Sequence, residues 1–477
     1  MHLIPESWSH LHMLVSVFPS VGLIFVLGFH ATALVTNNDG LKRTCLLAFA
    51  VLAVLLIPTY MSGVGSMAVL AKDAKISADK MNMHYGWGLA GLASLALTGI
   101  AAAWTLLRSN STGRLSNDAA NLVMGLGLIT LALMMVLGEM GWEISHHELQ
   151  LVAAASPGVS ASDIPEGIGT PQGWSHVHMI LNHFPTVGFV VTLAFFIISL
   201  MTKNVVMQRG SLVAFTMCAV LGAPTYVTGA AAMWALVNNP QLPGISQAAI
   251  NAHRDFAIWS LFGLAFTGVT AWIGLWRFRH LGRFPSQTLN TVLVFAIVTL
   301  GIMAETGHRG GQINHPEIRT EALPTNADAY LSPHIENLIN NVIWFVPWQT
   351  IHFFGYSLVF GCVMAVVLRV LGFWKAVPFS AVHRVLPLGV FGVIMNVFTG
   401  MLMLMADTYR YVNETSFIPK MFFLPIGAIA VIYFSLSDKL WSVKANEDAP
   451  MQAKWVAALV VLSWIAVIMG GRLLPYV

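Results

Sequence analysis

Histidines stand at the ends of long apolar stretches throughout this 477-residue chain, and imidazole is a ligand for haem iron and for transition metals. His10 and His12 open the first apolar stretch, His84 opens the third, and His146 follows the fourth. A b-type haem needs two axial ligands at one depth on neighbouring helices. His12 and His84 meet that requirement, because both begin a stretch that enters a membrane from the same side.

A second set of histidines repeats this placement. The segment WSHLHM at 8–13 reappears as WSHVHM at 174–179, and PTY at 58–60 reappears at 224–226, both with an offset of 166. Three extra residues then shift the offset to 169, which matches His84 with His253. The second copy therefore has its own candidate pair, His178 with His253. The remaining histidines of this copy are His176, His183, His308 and His315.

Composition places these histidines in a membrane protein. The chain is 56% hydrophobic and only 9% charged, with a mean hydropathy of +0.72. Stretches long enough to cross a bilayer, about 20 residues each, number twelve. They lie near 10–34, 43–70, 85–108, 118–141, 178–201, 210–236, 254–276, 287–306, 346–371, 383–405, 421–436 and 454–471. We expect an all-α polytopic integral membrane protein.

The spans group as three sets of four. Residues 1–157 and 158–330 are the two copies of the duplication, and 331–477 form a third module in which these motifs do not recur. Each copy has an even number of spans, so both enter the membrane from the same side and are parallel repeats. His352 opens the third module from this same side.

The distribution of charge predicts the orientation. Of the 24 Lys and Arg residues, 15 lie on the side opposite the N-terminus, and cytoplasmic loops retain positive charge. We therefore expect a multi-pass protein of the bacterial inner membrane with both termini in the periplasm. Of the 21 acidic residues, 16 fall on the periplasmic side, and the histidine sets lie there with them.

Other side chains near the histidines bear on proton transfer. Tyr60 and Tyr226 lie toward the periplasmic ends of their spans, and Glu139 and Glu305 end the fourth span of each copy. Either glutamate is a candidate to accept a proton from a quinol or to bind a cation. Simple solvation at the depth of the lipid head groups is the alternative for these residues and for each single histidine.

The motifs also carry resemblances to families. The second copy, with His178-x4-His183-Phe184-Pro185, His253 and Thr306-Gly307-His308, resembles the four-helix membrane family DUF2231. The first copy departs from that family, because Val17 replaces one histidine and Glu139 another. The third module, with Ile351-His352-x-x-Gly355 and Phe417-x-x-Lys420, is similar to the family DUF6644, which resembles membrane cytochrome b and copper-resistance bundles. These resemblances imply a redox or haem role.

The leading hypothesis is a membrane electron-transfer subunit of the b-type cytochrome kind, with haem b bound near the periplasmic face. It would exchange electrons between quinol and a periplasmic redox protein or other subunits of a complex. In such a complex it would be the quinol-oxidising membrane subunit of an oxidoreductase. One alternative is a copper or zinc transporter, with metal held by His12, His84, His178 and His253. The other is a non-catalytic anchor of a larger complex. The lipid bilayer is the expected environment, and nucleic acid is not an expected partner.

Overall fold

The computed structural model describes residues 7–71, 77–112, 115–145, 171–237, 246–314 and 322–473. Helices dominate these ranges, and within them there is no strand. The helices of the two repeats are α1 (Trp8–Val17), α2 (Leu23–Val35), α3 (Asp39–Leu70), α4 (Ala78–Thr112), α5 (Asn117–Ser145), α6 (Pro171–Leu181), α7 (His183–Thr202), α8 (Val205–Val237), α9 (Gln247–Leu281) and α10 (Ser286–Asn314). Those that follow are α11 (Leu331–Asn340), α12 (Val342–Leu371), α13 (Phe379–Val382), α14 (Leu386–Ala406), α15 (Thr408–Asn413), α16 (Phe417–Leu436), α17 (Asp438–Trp441) and α18 (Met451–Leu473).

Twelve helical segments among the described residues are long and apolar enough to cross a membrane, from Leu11–Val35 to Met451–Leu473. This confirms the predicted all-α, multi-pass membrane fold. Large apolar side chains such as Trp104, Met135 and Phe354 are exposed along the spans. Such exposure is costly in water and favourable in lipid, so it agrees with a bilayer environment.

The first span of each repeat is interrupted at the same place. In the first repeat a π-helical segment, Phe18–Gly22, joins α1 to α2, with Pro19 at its start. In the second repeat α6 ends at Leu181 and α7 begins at His183. Proline lacks the amide hydrogen that a continuous helix requires, so Pro19 and Pro185 account for an irregular turn next to the histidines.

The chain divides into two compact units, and the first comprises residues 1–165, 183–214 and 315–320. In its described part, α3 packs between α1 and α4, and α4 packs against α5. Its core includes Leu23, Leu41, Phe49 and Leu95, all fully buried. This packing brings the beginning of α1 beside the end of α3, and the beginning of α4 beside the end of α5.

The second unit comprises residues 166–182, 215–314 and 321–477. Here α9 packs on α10, α12 packs on α14, and α16 packs on α18. One core cluster joins Trp272 of α9 to α12 and α16, and another joins Trp174 and Tyr226 to Met401 and Met405 of α14. The predicted boundary at residue 157 lies outside the described residues, and the division into three modules stays a prediction.

Candidate functional site

His12 is held by the end of α3. Its Nδ1 donates to the carbonyl oxygen of Thr59 at 2.9 Å and lies 3.3 Å from Oγ of Ser62. Ser62 in turn donates to the same Thr59 carbonyl, at 2.9 Å. The imidazole packs on Gly63, where a Cβ would come within 3.0 Å of the ring. Glycine is therefore required for the ring to lie this close to α3.

His178 repeats this arrangement in the second unit. Its Nδ1 donates to the carbonyl oxygen of Thr225 at 3.0 Å and lies 3.2 Å from Oγ1 of Thr228. A Cβ at Gly229 would lie 2.7 Å from the ring. The sequence separation between the histidine and the threonine carbonyl is 47 in both repeats. The duplication thus preserves a contact between two helices.

These hydrogen bonds determine the tautomer of each imidazole. A carbonyl oxygen can only accept, so the proton must be on Nδ1, and Nε2 is left with a lone pair. Neutral imidazole with a free Nε2 is the form that binds a metal or haem iron, and an Nδ1–H bond to a backbone carbonyl is the usual way in which proteins hold such a ligand.

His84 and His253 occupy equivalent places on α4 and α9. In the second unit, Nδ1 of His253 donates to the carbonyl oxygen of Thr306 at 2.9 Å, and the ring packs on Gly310. In the first unit, His84 packs in the same way on Gly141, where a Cβ would lie 3.2 Å from the ring. His253 therefore has the same tautomer as His12 and His178.

The first unit brings His12 and His84 together. The two imidazoles are close enough to interact electrostatically. Among the residues that the structure describes, no three His, Cys, Asp or Glu side chains converge as they would around a metal ion. His146 and His315 lie outside the described residues, as does the side chain of His10.

His352 provides a third contact of the same kind. Its Nδ1 lies 2.8 Å from Oγ1 of Thr399, again 47 residues away, and its ring packs near Gly400. Thr399 donates its own hydroxyl proton to the Met395 carbonyl at 2.6 Å, so its oxygen accepts from His352. Nε2 of His352 is then unprotonated as well.

The tyrosines of the two repeats differ in their surroundings. Tyr60 donates a hydrogen bond to Tyr85 at 2.8 Å, on an open face of the first unit. In the second repeat Tyr226 is buried, and Arg254 replaces Tyr85. Arg254 forms an ion pair with Glu336 of α11. The equivalent tyrosine is thus accessible in one repeat and covered in the other.

The side chains around these tyrosines also differ in exposure between the two repeats. Trp8 is 52% exposed and its equivalent Trp174 is 6% exposed; Met61 is 57% exposed and its equivalent Val227 is 2% exposed. In the second unit α14 packs against this face through Met401 and Met405. These methionines are therefore packing residues.

The two glutamates do not occupy equivalent positions. Glu305 is buried and forms an ion pair with Arg309, Nε to Oε1 at 2.8 Å. Glu139 is exposed, and its equivalent in the second repeat is His308. His308 lies 3.1 Å from Nε2 of Gln312.

Two further predicted ligands have less defined surroundings. His176 and His183 are half-buried, in α6 of the second unit and at the start of α7 in the first. His383 belongs elsewhere: it is fully buried in the second unit, where its Nδ1 lies 3.4 Å from Nε2 of His280.

Sequence reasoning missed the contacts of three of these residues. No role was predicted for Tyr85 and Arg254, because nothing in their own sequence context marks them. Thr399 belongs to the Thr399-Gly400 motif for which the third module is similar to DUF6644, but its contact with His352 was not predicted. The third contact did leave a signal: Trp8-x3-His12, Trp174-x3-His178 and Trp348-x3-His352 share a spacing, and each histidine precedes its threonine by 47 residues.

No family model, curated protein or solved structure matches this chain. The likenesses to DUF2231 and DUF6644 therefore stay predictions.

Proposed function

We propose that this chain is a membrane electron-transfer subunit that holds b-type haem between paired histidines. The pairs are His12 with His84 in the first repeat and His178 with His253 in the second. The proposed location is the periplasmic side of the bacterial inner membrane, as the charge distribution of the loops predicts. Electrons would pass from membrane quinol to a periplasmic partner.

The observation that carries the proposal is the fixed tautomer of the histidines. Backbone carbonyls hold the Nδ1 protons of His12, His178 and His253, so each Nε2 offers a lone pair. An imidazole that only solvated the interface would turn its polar atoms toward water. Each of the three imidazoles instead donates to a carbonyl of a neighbouring helix, 47 residues away for His12 and His178 and 53 residues away for His253. This arrangement supports a ligand role.

The donor set fits haem b. Two neutral imidazoles from neighbouring helices are its common axial ligands, and His12 and His84 come from α1 and α4 within one unit. Small residues beside the rings, Gly63 and Gly141, leave room that a Cβ would fill. Haem bound in this way would supply a centre that gains and loses single electrons. The protein contributes the ligands, their orientation and the apolar surroundings.

The exposed tyrosine pair supports entry of quinol at the first repeat. Tyr60 donates to Tyr85, so the Tyr85 hydroxyl keeps a proton to donate and the Tyr60 oxygen keeps a lone pair to accept. Met83 and Trp87, which flank Tyr85 on α4, are exposed beside the pair. In the second repeat the equivalent tyrosine is buried, and Glu305 is neutralised by Arg309.

A difference spectrum tests the proposal. Dithionite-reduced minus oxidised absorption of the purified protein should contain a b-type α band, and a pyridine haemochrome assay should count haem per chain. His84→Ala and His253→Ala should each remove part of the haem, whereas His334→Ala, an exposed histidine on α11, should retain all of it. Haem content that is unchanged in both ligand variants would refute the assignment.

The same preparation separates the alternatives. Bound copper or zinc by elemental analysis, together with a spectrum that lacks a Soret band, would favour metal transport. The absence of both haem and metal would leave the role of a membrane anchor.

A further inference from the structure

Lys420 takes the place of the second histidine in the third module. His84 and His253 stand near the beginning of the third span of their repeats and pack on Gly141 and Gly310 of the fourth span. Lys420 stands near the beginning of α16, the third span of its module, and its Nζ lies against Gly471 of α18. The third module therefore pairs a histidine with a lysine.

The two side chains lie at the same end of neighbouring helices. α18 packs against both α12 and α16, and Lys420 lies against Gly471 near the end of α18, on the side where α12 and α16 begin. His352 and Lys420 are close enough there to interact electrostatically. The Nδ1 proton of His352 is bound by Thr399, so its Nε2 is an acceptor. Lys420 is an ammonium donor. The site thus contains one hydrogen-bond acceptor and one positively charged donor.

Among the residues that the structure describes, no carboxylate forms an ion pair with Lys420. An ammonium group inside a span is costly and is normally paired or functional. A ligand with a polar or partly negative oxygen would lower that cost.

A second donor lies one helical turn before His352. Trp348 is on the same face of α12, and its indole Nε1 is buried without a hydrogen-bond partner. Its ring contacts Phe398 of α14, with centroids 5.8 Å apart. A buried indole N–H usually has a partner, so this donor favours a bound oxygen atom.

The surface beside the site is open to lipid. Phe353 and Phe354, which follow His352 on α12, are 52% and 64% exposed. A ligand that arrives through the bilayer would meet these rings first. The site therefore fits an apolar aromatic molecule that carries oxygen atoms.

We propose that His352 and Lys420 bind the head group of a quinone or hydroquinone. Nε2 of His352 accepts a hydrogen bond from a hydroxyl of the hydroquinone, and Nζ of Lys420 donates to the other oxygen. Haem would not be bound in the same way here, because a protonated lysine has no lone pair for iron. This inference names a binding site for the quinol of the proposed function and depends on that function for the fate of the electrons.

Binding of decylubiquinol, the reduced form whose hydroxyl can donate to His352, to the purified full-length protein under anaerobic conditions tests the site, with tryptophan fluorescence quenching as the readout. Lys420→Met and His352→Leu should each raise the Kd at least about tenfold, because a charge-assisted hydrogen bond contributes about 1.5–3 kcal/mol and 1.4 kcal/mol is a factor of ten. Lys420→Arg keeps the charge and should bind within a few-fold of the wild type. Lys454→Met, at the start of α18, is the matched control and should not change the Kd.

Two measurements keep the outcomes distinct. Haem content and thermal stability are recorded for each variant, so that loss of folding is recognised. A Kd unchanged within about twofold in both Lys420→Met and His352→Leu would overturn the quinone site, whatever the haem content. Weakened binding in a protein that lacks haem would support this site and refute the haem proposal alone.

Discussion

Asn204 donates a hydrogen bond from Nδ2 to Oδ1 of Asn38, at 2.8 Å, and the two residues are equivalent positions of the duplication, 166 residues apart. Phe29 and Phe195, another equivalent pair, stack with ring centroids 4.2 Å apart. Equivalent residues touch only where they meet the axis that relates the copies. Phe29 and Phe195 lie in α2 and α7, and Asn38 and Asn204 precede α3 and α8, so both contacts lie close to that axis.

Replacing Asn38 tests how much its hydrogen bond with Asn204 contributes to the stability of the first unit. Its side chain also accepts from the backbone nitrogen of Leu41 at 2.8 Å, which caps α3. We expect Asn38→Ala to lower the free energy of unfolding by about 2 kcal/mol, from the loss of a cap and of one hydrogen bond. Unfolding in mixed micelles measures it.

A double-mutant cycle separates the two contributions. Asn38→Ala and Asn204→Ala should couple by about 0.5–1 kcal/mol, since each removes the same bond. Asn326→Ala removes a distant cap and serves as the control. Additive effects of Asn38→Ala and Asn204→Ala would contradict a contribution from the contact.

The ion pair of Arg254 and Glu336 should be the main electrostatic link between α9 and α11. Asp255, the next residue, accepts from the backbone nitrogens of Leu331 and Ser332 at the start of α11. We expect Glu336→Gln to lower the free energy of unfolding by about 3 kcal/mol, because it leaves a buried guanidinium unpaired. The double variant with Arg254→Met should lose less than the two single variants together. If the double variant lost as much stability as the two single variants together, the ion pair would contribute nothing to stability.

The sequence predicts the spans well, but not the neighbours of each side chain. Apolar runs define a span by length alone, which is why all twelve were found. Which carbonyl binds His12 depends on the rotation and crossing of α1 and α3, and a periodic pattern does not specify these. The covering of Tyr226 could not be predicted either, because it depends on where α11 docks.

Asp448, which lies between α17 and α18, should make stability depend on pH. Hydrogen bonds from Lys375 at 2.8 Å and Lys454 at 3.0 Å hold the pKa of this exposed carboxyl below its ordinary value of 3.8. The folded state thus binds the proton more weakly than the unfolded state does. The stabilisation is complete above the ordinary pKa and is lost as the pH falls through the lowered one.

Comparison of the wild type with Asp448→Asn measures this dependence. The difference in Tm should be constant from neutral pH down to about pH 4 and should then shrink on further acidification. A Tm difference that grew below pH 4 would contradict the direction of the shift.

Gly229→Val should remove the ligand of one repeat without touching the other. A Cβ at this position would lie 2.7 Å from the His178 ring, so the imidazole must leave the carbonyl of Thr225. If His178 binds haem, haem per chain should fall while the first repeat keeps its share. Gly301→Val is the matched control, because a Cβ there meets nothing within 4 Å. Full haem content in Gly229→Val, with normal thermal stability, would mean that His178 is not a ligand and that its bond to Thr225 only packs α6 on α8.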